Sequence, residues 1–396
     1  MDRRRFAYLA AAVSASAVIS QAKDAEDPLR VAVIGHSGRG DYGHGLDTVW
    51  LRLDETKIVA VADPVESGRA KELAKLKLDA ASGFVDYREM LHSAKPDIVA
   101  VCPRHADQHR DMIIAAIDAG AQGVYVEKPF VRTPAEADEV VVACRKHSAK
   151  LAVAHRNRYH PVLHTIDSVI EQGKIGRLLE IRGRGKGDRR GGAEDLWVLG
   201  SHVLNLMAYF AGKPRTCSAV MLQDGRHVTK ADVRDGAEGL GPLAGNELHA
   251  RFEFDSGIVG YFDSIANDGT KNAGFGMQLI GSEGIINIQA DLTPLAHLVP
   301  GNPFAPTASP RPWLPISTAG VDQPETRDEL EEMVHQHVLP ARDLVAAVRG
   351  NYQPLCNADE GALTVEMICA VFESHRQNGR AVELPMSQRH NALANL

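Results

Sequence analysis

The feature that most constrains this chain is a short apolar run that ends in a glycine turn. Val31-Ala32-Val33-Ile34 leads directly into Gly35-His36-Ser37-Gly38-Arg39-Gly40, and a helix-like segment over 43–53 follows. A strand that turns this tightly into a helix aims backbone N–H groups and the positive helix end at a pyrophosphate. Ser37 stands at the usual middle glycine, a small replacement that still permits close backbone approach. The turn alone is a weak signal. Its force comes from the second apolar run, Val61-Ala62-Asp63, which puts a carboxylate 23 residues beyond Gly40, where it can accept hydrogen bonds from the hydroxyls of an adenosine ribose. That carboxylate repels a 2′-phosphate, so the pattern favours NAD over NADP, and Arg39 and Arg69 are the cations able to soften the preference. A glycine turn beside a helix-capping aspartate is the plainer alternative.

The alternation continues. Arg30–Ile34, Lys57–Ala62, Ile98–Cys102, Gly123–Val126 and Leu151–Ala154 read as strands. Helical periods lie between them at Gly43–Leu53, Val65–Leu76, Tyr87–Leu91, Asp107–Ala119 and Pro134–Ser148. This predicts an α/β fold, a doubly wound parallel Rossmann sheet over 29–154. The second half, 155–385, predicts an α+β domain with a large open, mostly antiparallel sheet. Glu247–Phe254 and Ile258–Ser264 flank the hairpin loop Asp255-Ser256-Gly257, and Met277–Ile280 and Ile285–Gln289 flank Gly281-Ser282-Glu283-Gly284. Leu178–Arg184 and Cys217–Leu222 join them, one face is to be covered by helices such as Leu196–Phe210, and the other is free to pair with another subunit in a homo-oligomer. The proline-rich stretch 293–324 reads as a packed arm or lid, and Asn357–Asn378 as a closing helix.

Charge and cysteine content narrow the partners. With 51 acidic against 44 basic residues the net charge is −7, which lacks the clustered basic face of a nucleic-acid binder. Five cysteines with no close pair indicate neither a disulfide framework nor a metal site. Residues 1–22 run basic (Arg3-Arg4-Arg5-Phe6), apolar, then small (Ser20-Gln21-Ala22), the order of a signal peptide, and the paired arginines resemble the twin-arginine export signal. That resemblance implies a periplasmic or otherwise exported protein that crosses the membrane folded, carrying its cofactor. After cleavage no stable membrane span remains.

Chemistry gathers at the fifth strand. Gly123-Val124-Tyr125-Val126 runs into Glu127-Lys128-Pro129, at the carboxyl edge where ligands bind in this architecture. Lys128 there can hydrogen-bond a substrate hydroxyl or shuttle its proton, although a solvated strand-end lysine is the plainer reading. From the glycine turn through Asp86-Tyr87-Arg88, Cys102-Pro103, Glu127-Lys128-Pro129 and His155-Arg156-Asn157-Arg158-Tyr159-His160-Pro161 to Gly379-Arg380-Ala381-Val382, the chain resembles the glucose-fructose oxidoreductase, inositol dehydrogenase and rhizopine-catabolism (Gfo/Idh/MocA) oxidoreductases. The resemblance implies a Rossmann domain, an open-sheet domain, NAD or NADP, and hydride transfer involving a sugar, cyclitol or related polyol. The candidate cofactor set is Gly35, Ser37, Gly38, Arg39, Gly40, Asp63, Pro103, His105, His109, Glu127 and Lys128.

His202 matches the family's catalytic histidine, but Val198 stands where the family places an aspartate and Asn205 where it often has a second acid. Asp195, seven residues before His202, is the acid on hand. Lys128, His202 and Asp195 are therefore the candidate catalytic residues, and Arg156, Asn157, Arg184, Trp197 and His202 the candidate substrate contacts. Without the resemblance, His202 among Leu199, Val203, Leu204 and Leu206 reads as a core histidine. Three functions stay open: an exported NAD-dependent oxidoreductase of a carbohydrate or polyol hydroxyl with tightly bound NAD; a redox-neutral glycosidase or lyase working through a transient keto-sugar; and a non-catalytic sensor.

Overall fold

The computed structural model describes residues 27–350 and 352–396, so the expected signal peptide at 1–22 lies outside the described residues. Strands β1 (Leu29–Ile34), β2 (Thr56–Ala62), β3 (Gly83–Phe84), β4 (Ile98–Val101), β5 (Gly123–Val126) and β6 (Lys150–Val153) form one sheet in the order β3-β2-β1-β4-β5-β6. Every pairing is parallel. The continuous apolar runs follow from burial on both faces. Val31, Val33, Ala100 and Tyr125 enter one core, while Ala32, Ile34, Val101 and Val126 enter the other. Helices α1 (Glu66–Lys75), α2 (Tyr87–Ala94), α3 (His109–Asp118) and α4 (Pro134–His147) lie between the strands. Their starts are chemically marked: the Asp86 side chain accepts from the N–H groups of Arg88 and Glu89, and Thr133 accepts from Glu136 with Pro134 in the first turn.

The helix expected at Gly43–Leu53 is replaced by a string of turns and a short 3-10 segment, Val49–Arg52. Gly43 and Gly45 hold left-handed φ values of +66° and +93°, which end any helix there. Gly43 is also required by space, since a Cβ on it would sit 2.5 Å from both the Cys102 carbonyl and Glu127 Oε2. The same packing that closes the turn thus removes the helix end expected to face a pyrophosphate. Backbone N–H groups of the turn itself remain for that role.

The second sheet has eleven strands. In chain order they are β7 (Leu178–Arg184), β8 (Pro214–Gln223), β9 (Arg226–His227), β10 (Glu247–Phe254), β11 (Val259–Ile265), β12 (Phe275–Gly281), β13 (Gly284–Ala290), β14 (Ala296–Pro300), β15 (Leu314–Ser317), β16 (Gly320–Val321) and β17 (Val382–Glu383). Their spatial order is β16-β15-β14-β13-β12-β7-β11-β10-β8-β17, with β9 on β8. Only β7 and β11 pair in parallel. Period-two burial along β10 puts Leu248, Ala250, Phe252 and Phe254 inside, while Glu247, His249, Arg251 and Glu253 face outward. The outer face is a charged ladder, in which His249 meets Asp263 at 2.6 Å and Glu247 at 2.9 Å.

Helices α5 (Val162–Glu171), α6 (Ser201–Ala211), α7 (Leu330–His335), α8 (Val338–Arg349) and α9 (Ala358–Arg376) complete the chain. Helix α8 packs on the Rossmann sheet, with Leu344 and Val348 over Gly123. Helix α9 joins the two sheets: Gly361 lets it approach Phe130 and Val153, and Ser374 Oγ accepts from the N–H of Ala219 on β8. The stretch 293–324, expected to be an arm or lid, contributes β14, β15 and β16 to the sheet edge, and its longest irregular part is 301–313. Among the described residues no helix is long and apolar enough to cross a membrane.

Candidate active site

The parallel sheet delivers its chemistry to one edge. Gly35 follows β1, Asp63 follows β2, Pro103 lies just past β4, Glu127 and Lys128 follow β5, and His155 lies just past β6. In the glycine turn Gly38 and Gly40 have φ values of +77° and +90°. A Cβ on Gly40 would lie 2.4 Å from the Arg104 nitrogen, so the turn packs tightly on the loop after β4. At Gly38 an added Cβ would meet nothing within 4 Å, and the backbone is open to a ligand there.

Asp63 departs from the expected ribose contact, because its carboxylate is fully buried. It accepts from the Ser37 N–H (3.1 Å), the Ser37 hydroxyl (2.7 Å), the Tyr42 hydroxyl (2.9 Å) and the Val65 N–H (2.9 Å). The cause is the serine at the middle glycine position. Its hydroxyl turns inward onto Asp63, and Gly68 on α1 makes room, since a Cβ there would be 1.9 Å from Ser37 Oγ. Asp63 therefore holds the glycine turn in place through Ser37. Both nearby cations are also committed within the chain: Arg39 pairs with Asp107, and Arg69 donates to the Asp63 carbonyl at 2.7 Å.

His109, expected beside the cofactor, is instead a buried staple whose two ring nitrogens face the carbonyl oxygens of Pro103 (2.6 Å), Pro129 and Phe130 (both 2.9 Å). Pro103 enters that staple through its carbonyl. His105 stays near the turn, with its backbone nitrogen 2.8 Å and its ring 3.1 Å from where a Gly40 Cβ would be.

Glu127 is fully buried and held on both oxygens. Oε2 accepts from the backbone N–H of His44 (2.9 Å) and pairs with its Nδ1 (2.8 Å), while Oε1 accepts from the Lys128 N–H (2.8 Å). Burial alone would raise its pKa, but the bonds from His44 and the charges of His44 and Lys128 outweigh it and hold the carboxyl at about 2. Lys128 follows, buried except for 7% of its surface, with Nζ donating to the Val198 carbonyl at 3.2 Å. Burial pushes its pKa down against the opposing pull of Glu127. The position where an aspartate was expected thus meets the lysine with its main-chain oxygen.

His202 sits on α6, 7% exposed, and its Nδ1 lies 3.1 Å from Nδ1 of His155 with the rings nearly perpendicular at 85°. Burial, then the charges of Lys128 and its neighbours, lower both imidazoles, His155 to about 3. Asp195 is turned away from this pair. Residues Leu196–Gly200 form a π-turn, whose wider winding rotates Asp195 by roughly a quarter turn relative to an unbroken α-helix. It accepts instead from Ser264 Oγ (2.6 Å) and the Lys186 N–H (3.2 Å), leaving Oδ1 buried without a partner.

The expected substrate contacts divide. Arg156 and Asn157 lie beside the site, both bonded to Asp291, and the charge of Arg156 bears on His202. Trp197 is a core residue, fully buried against Phe372. Arg184 is on the outer face of the second sheet, opposite the Gly183 face that meets Val203 and Met207, and pairs with Asp268. It lines a cavity of about 410 Å³ with Gln278, Asn287 and Trp313. A larger cavity of about 800 Å³ between 291–295 and 329–336 reaches Asn157 and Asp291 but not Lys128 or His202.

Sequence reasoning singled out neither His155 nor His44 nor His337. The signal for His155 was its place at the end of the sixth strand, where ligand-facing residues collect. His337, bonded through Nδ1 to the Tyr125 hydroxyl at 2.7 Å with Nε2 buried and unpartnered, gave no local signal.

A parallel sheet carrying a glycine turn and ionisable groups at its carboxyl edge has the layout of a dinucleotide-binding enzyme domain. Comparison with known proteins makes the class specific. Residues 29–155 match the NAD-binding Rossmann fold of the GFO/IDH/MocA oxidoreductase family, and residues 168–384 match its C-terminal alpha/beta domain. The chain belongs to that family. It is similar to levoglucosan dehydrogenase of Pseudarthrobacter phenanthrenivorans, with 26% identity over 284 residues, 64% of this chain and 72% of that one. D-apiose dehydrogenase of Paraburkholderia graminis is 24% identical over 394 residues, 94% of each chain. The solved structure of levoglucosan dehydrogenase in complex with NADH and L-sorbose superposes with a TM-score of 0.70 at 20% identity, covering 91% of this chain and all of that one.

Two predictions arise from this geometry. Gly68→Ala drives Ser37 Oγ off Asp63 and weakens NAD binding by about tenfold, the value of one well-made hydrogen bond, and Ser37→Ala, which removes the same hydroxyl, weakens it by a similar factor. Equal affinity of Gly68→Ala and wild type by calorimetry removes the clasp from the cofactor site.

The second concerns pH. His155 at about 3 and His337 at about 4 are depressed by burial below the ordinary value of ~6.5. A depressed folded pKa means that the unfolded chain binds more protons between the two values. The stabilisation is therefore complete above ~6.5 and is lost as pH falls toward about 4. Urea midpoints measured at pH 7, 6 and 5 fall in that order; a constant midpoint contradicts the neutral burial of these rings.

Proposed function

We propose that this chain is an exported NAD-dependent dehydrogenase that interconverts a secondary hydroxyl and the corresponding ketone on a sugar, glycoside or cyclitol. The observation that carries the reading is the convergence of Lys128 and the His202–His155 pair at the carboxyl edge of an NAD-binding sheet. Oxidation of a CH–OH group needs a base for the hydroxyl proton as the C–H electron pair leaves. Burial favours the neutral, proton-accepting forms of the imidazoles and loosens the lysine's hold on its proton. Glu127, locked by His44, keeps its charge and orients Lys128 without reaching substrate. Arg156 and Asn157 offer hydroxyl-binding donors alongside. NAD, when bound, accepts or returns the hydride; the open glycine turn and the Ser37–Asp63 clasp are the chain's means of holding it. The sugar class is supported by the names of the relatives, which are dehydrogenases of levoglucosan and D-apiose.

Export is supported by the Arg-rich, apolar and small-residue order of 1–22. A protein exported folded into a compartment without free nicotinamide keeps its cofactor, so each hydride taken up is returned to a second carbonyl compound or to the oxidised intermediate itself. Purified protein retains NAD through dialysis, and its absorbance near 340 nm rises on mixing with a screen of sugars and cyclitols. Ready loss of NAD together with turnover that consumes stoichiometric added NAD overturns retention. Cleavage without net redox change identifies the redox-neutral reaction instead. Lys128→Ala and His202→Ala each bind NAD yet lose ~10²- to 10⁴-fold in turnover; full activity in either removes that residue from the chemistry.

A further inference from the structure

His202 lacks the carboxylate that commonly fixes an imidazole's tautomer. Val198 occupies the position four residues ahead of it, and Asp195 is engaged by Ser264 and Lys186. Its partner is a second imidazole, with the two Nδ1 atoms 3.1 Å apart and ring centres 4.8 Å apart. Such a contact is a hydrogen bond only when one proton lies between the two nitrogens. With both rings neutral, the donor ring then has a bare Nε2 and the acceptor ring a protonated one. Two protons between them are opposed by the charges facing the pair: Lys128 bears on both rings, Arg156 and His44 on His202, and Arg158 on His155, where Glu127 acts in the opposite direction. His155 is the more deeply buried of the two, 2% exposed against 7%, and His202 lies four residues beyond Val198, whose carbonyl receives Lys128 Nζ.

We propose that His155 is the positioning residue of this site: it accepts the Nδ1–H of His202 and so leaves His202 Nε2 bare to take the substrate's hydroxyl proton. This rests on the dehydrogenase reading above. The step balances: the substrate O–H bond breaks and an Nε2–H bond forms, the C–H electron pair passes to the nicotinamide acceptor, and the C=O bond forms. The positive charge arriving on His202 strengthens its Nδ1–H bond to His155, which becomes charge-assisted. A second imidazole thereby supplies in neutral form what an aspartate supplies as an anion.

The test begins with a readout independent of turnover. Nitrogen NMR of histidine-labelled holoprotein at neutral pH, with His202 assigned by difference against His202→Ala, shows Nδ1 protonated and Nε2 bare. A His202 that carries its proton on Nε2 overturns the proposal, whatever sugar the protein oxidises. Kinetics follow with a sugar that the wild-type protein turns over. His155→Leu lowers kcat by about 10²-fold or more with KM and NAD affinity nearly kept, within the range of acid-base assistance. His155→Asn, whose Oδ1 takes the place of the accepting Nδ1, recovers most of the loss. Full activity in His155→Leu, or no recovery in His155→Asn, also overturns it. If His155→Leu does not fold, the wild-type tautomer and His155→Asn decide. Failure of the sugar reading is distinguishable, because it removes turnover while leaving the His202 tautomer in place.

Discussion

The site depends on one buried joint, the carboxylate of Glu127. One oxygen receives both the backbone N–H and the ring nitrogen of His44, which follows the glycine turn, and the other receives the backbone N–H of Lys128. The cofactor turn of the first strand is thereby tied to the lysine of the fifth. Held at a pKa of about 2, the carboxyl stays ionised in the interior, where a charge persists only if fully hydrogen-bonded. Gly43 is glycine because any side chain would enter this joint. The loss of a regular helix after the turn is the structural consequence.

Beyond the joint, carboxylates are withheld from the reacting groups. Lys128 meets a main-chain carbonyl, His202 meets His155, and Asp195 is wound away by the π-turn. Burial and the surrounding cations then push the imidazoles toward their neutral forms. A site built this way holds its bases ready without a counter-anion.

Much of this was legible in the sequence, for identifiable reasons. The parallel strands announce themselves because burial on both faces demands unbroken apolar runs, and the carboxyl-edge location of Lys128 follows from strand order alone. Hairpins such as β10–β11 were marked by their glycine-bearing loops. The rest was hidden because it depends on space between distant segments. That Ser37 would turn onto Asp63 was decided by the absent side chain at Gly68. That His109 would staple three carbonyls depended on how the loops after β4 and β5 meet. Trp197 read as a pocket wall because an aromatic near a catalytic helix has both roles open to it, and only its packing on Phe372 chooses. Asp195 looked suitable by α-helical spacing, and a π-turn has no clear mark in composition.

Under the proposed reading the chain moves a hydride between a sugar carbon and nicotinamide. The most direct measurement uses holoprotein carrying NAD and sugars deuterated at every carbon, levoglucosan and D-apiose among them, with the nicotinamide recovered and analysed by mass spectrometry and NMR. One deuterium is expected at C4 of the nicotinamide, on a single face of the ring. A cofactor that stays undeuterated and oxidised with every sugar and cyclitol tried would contradict it.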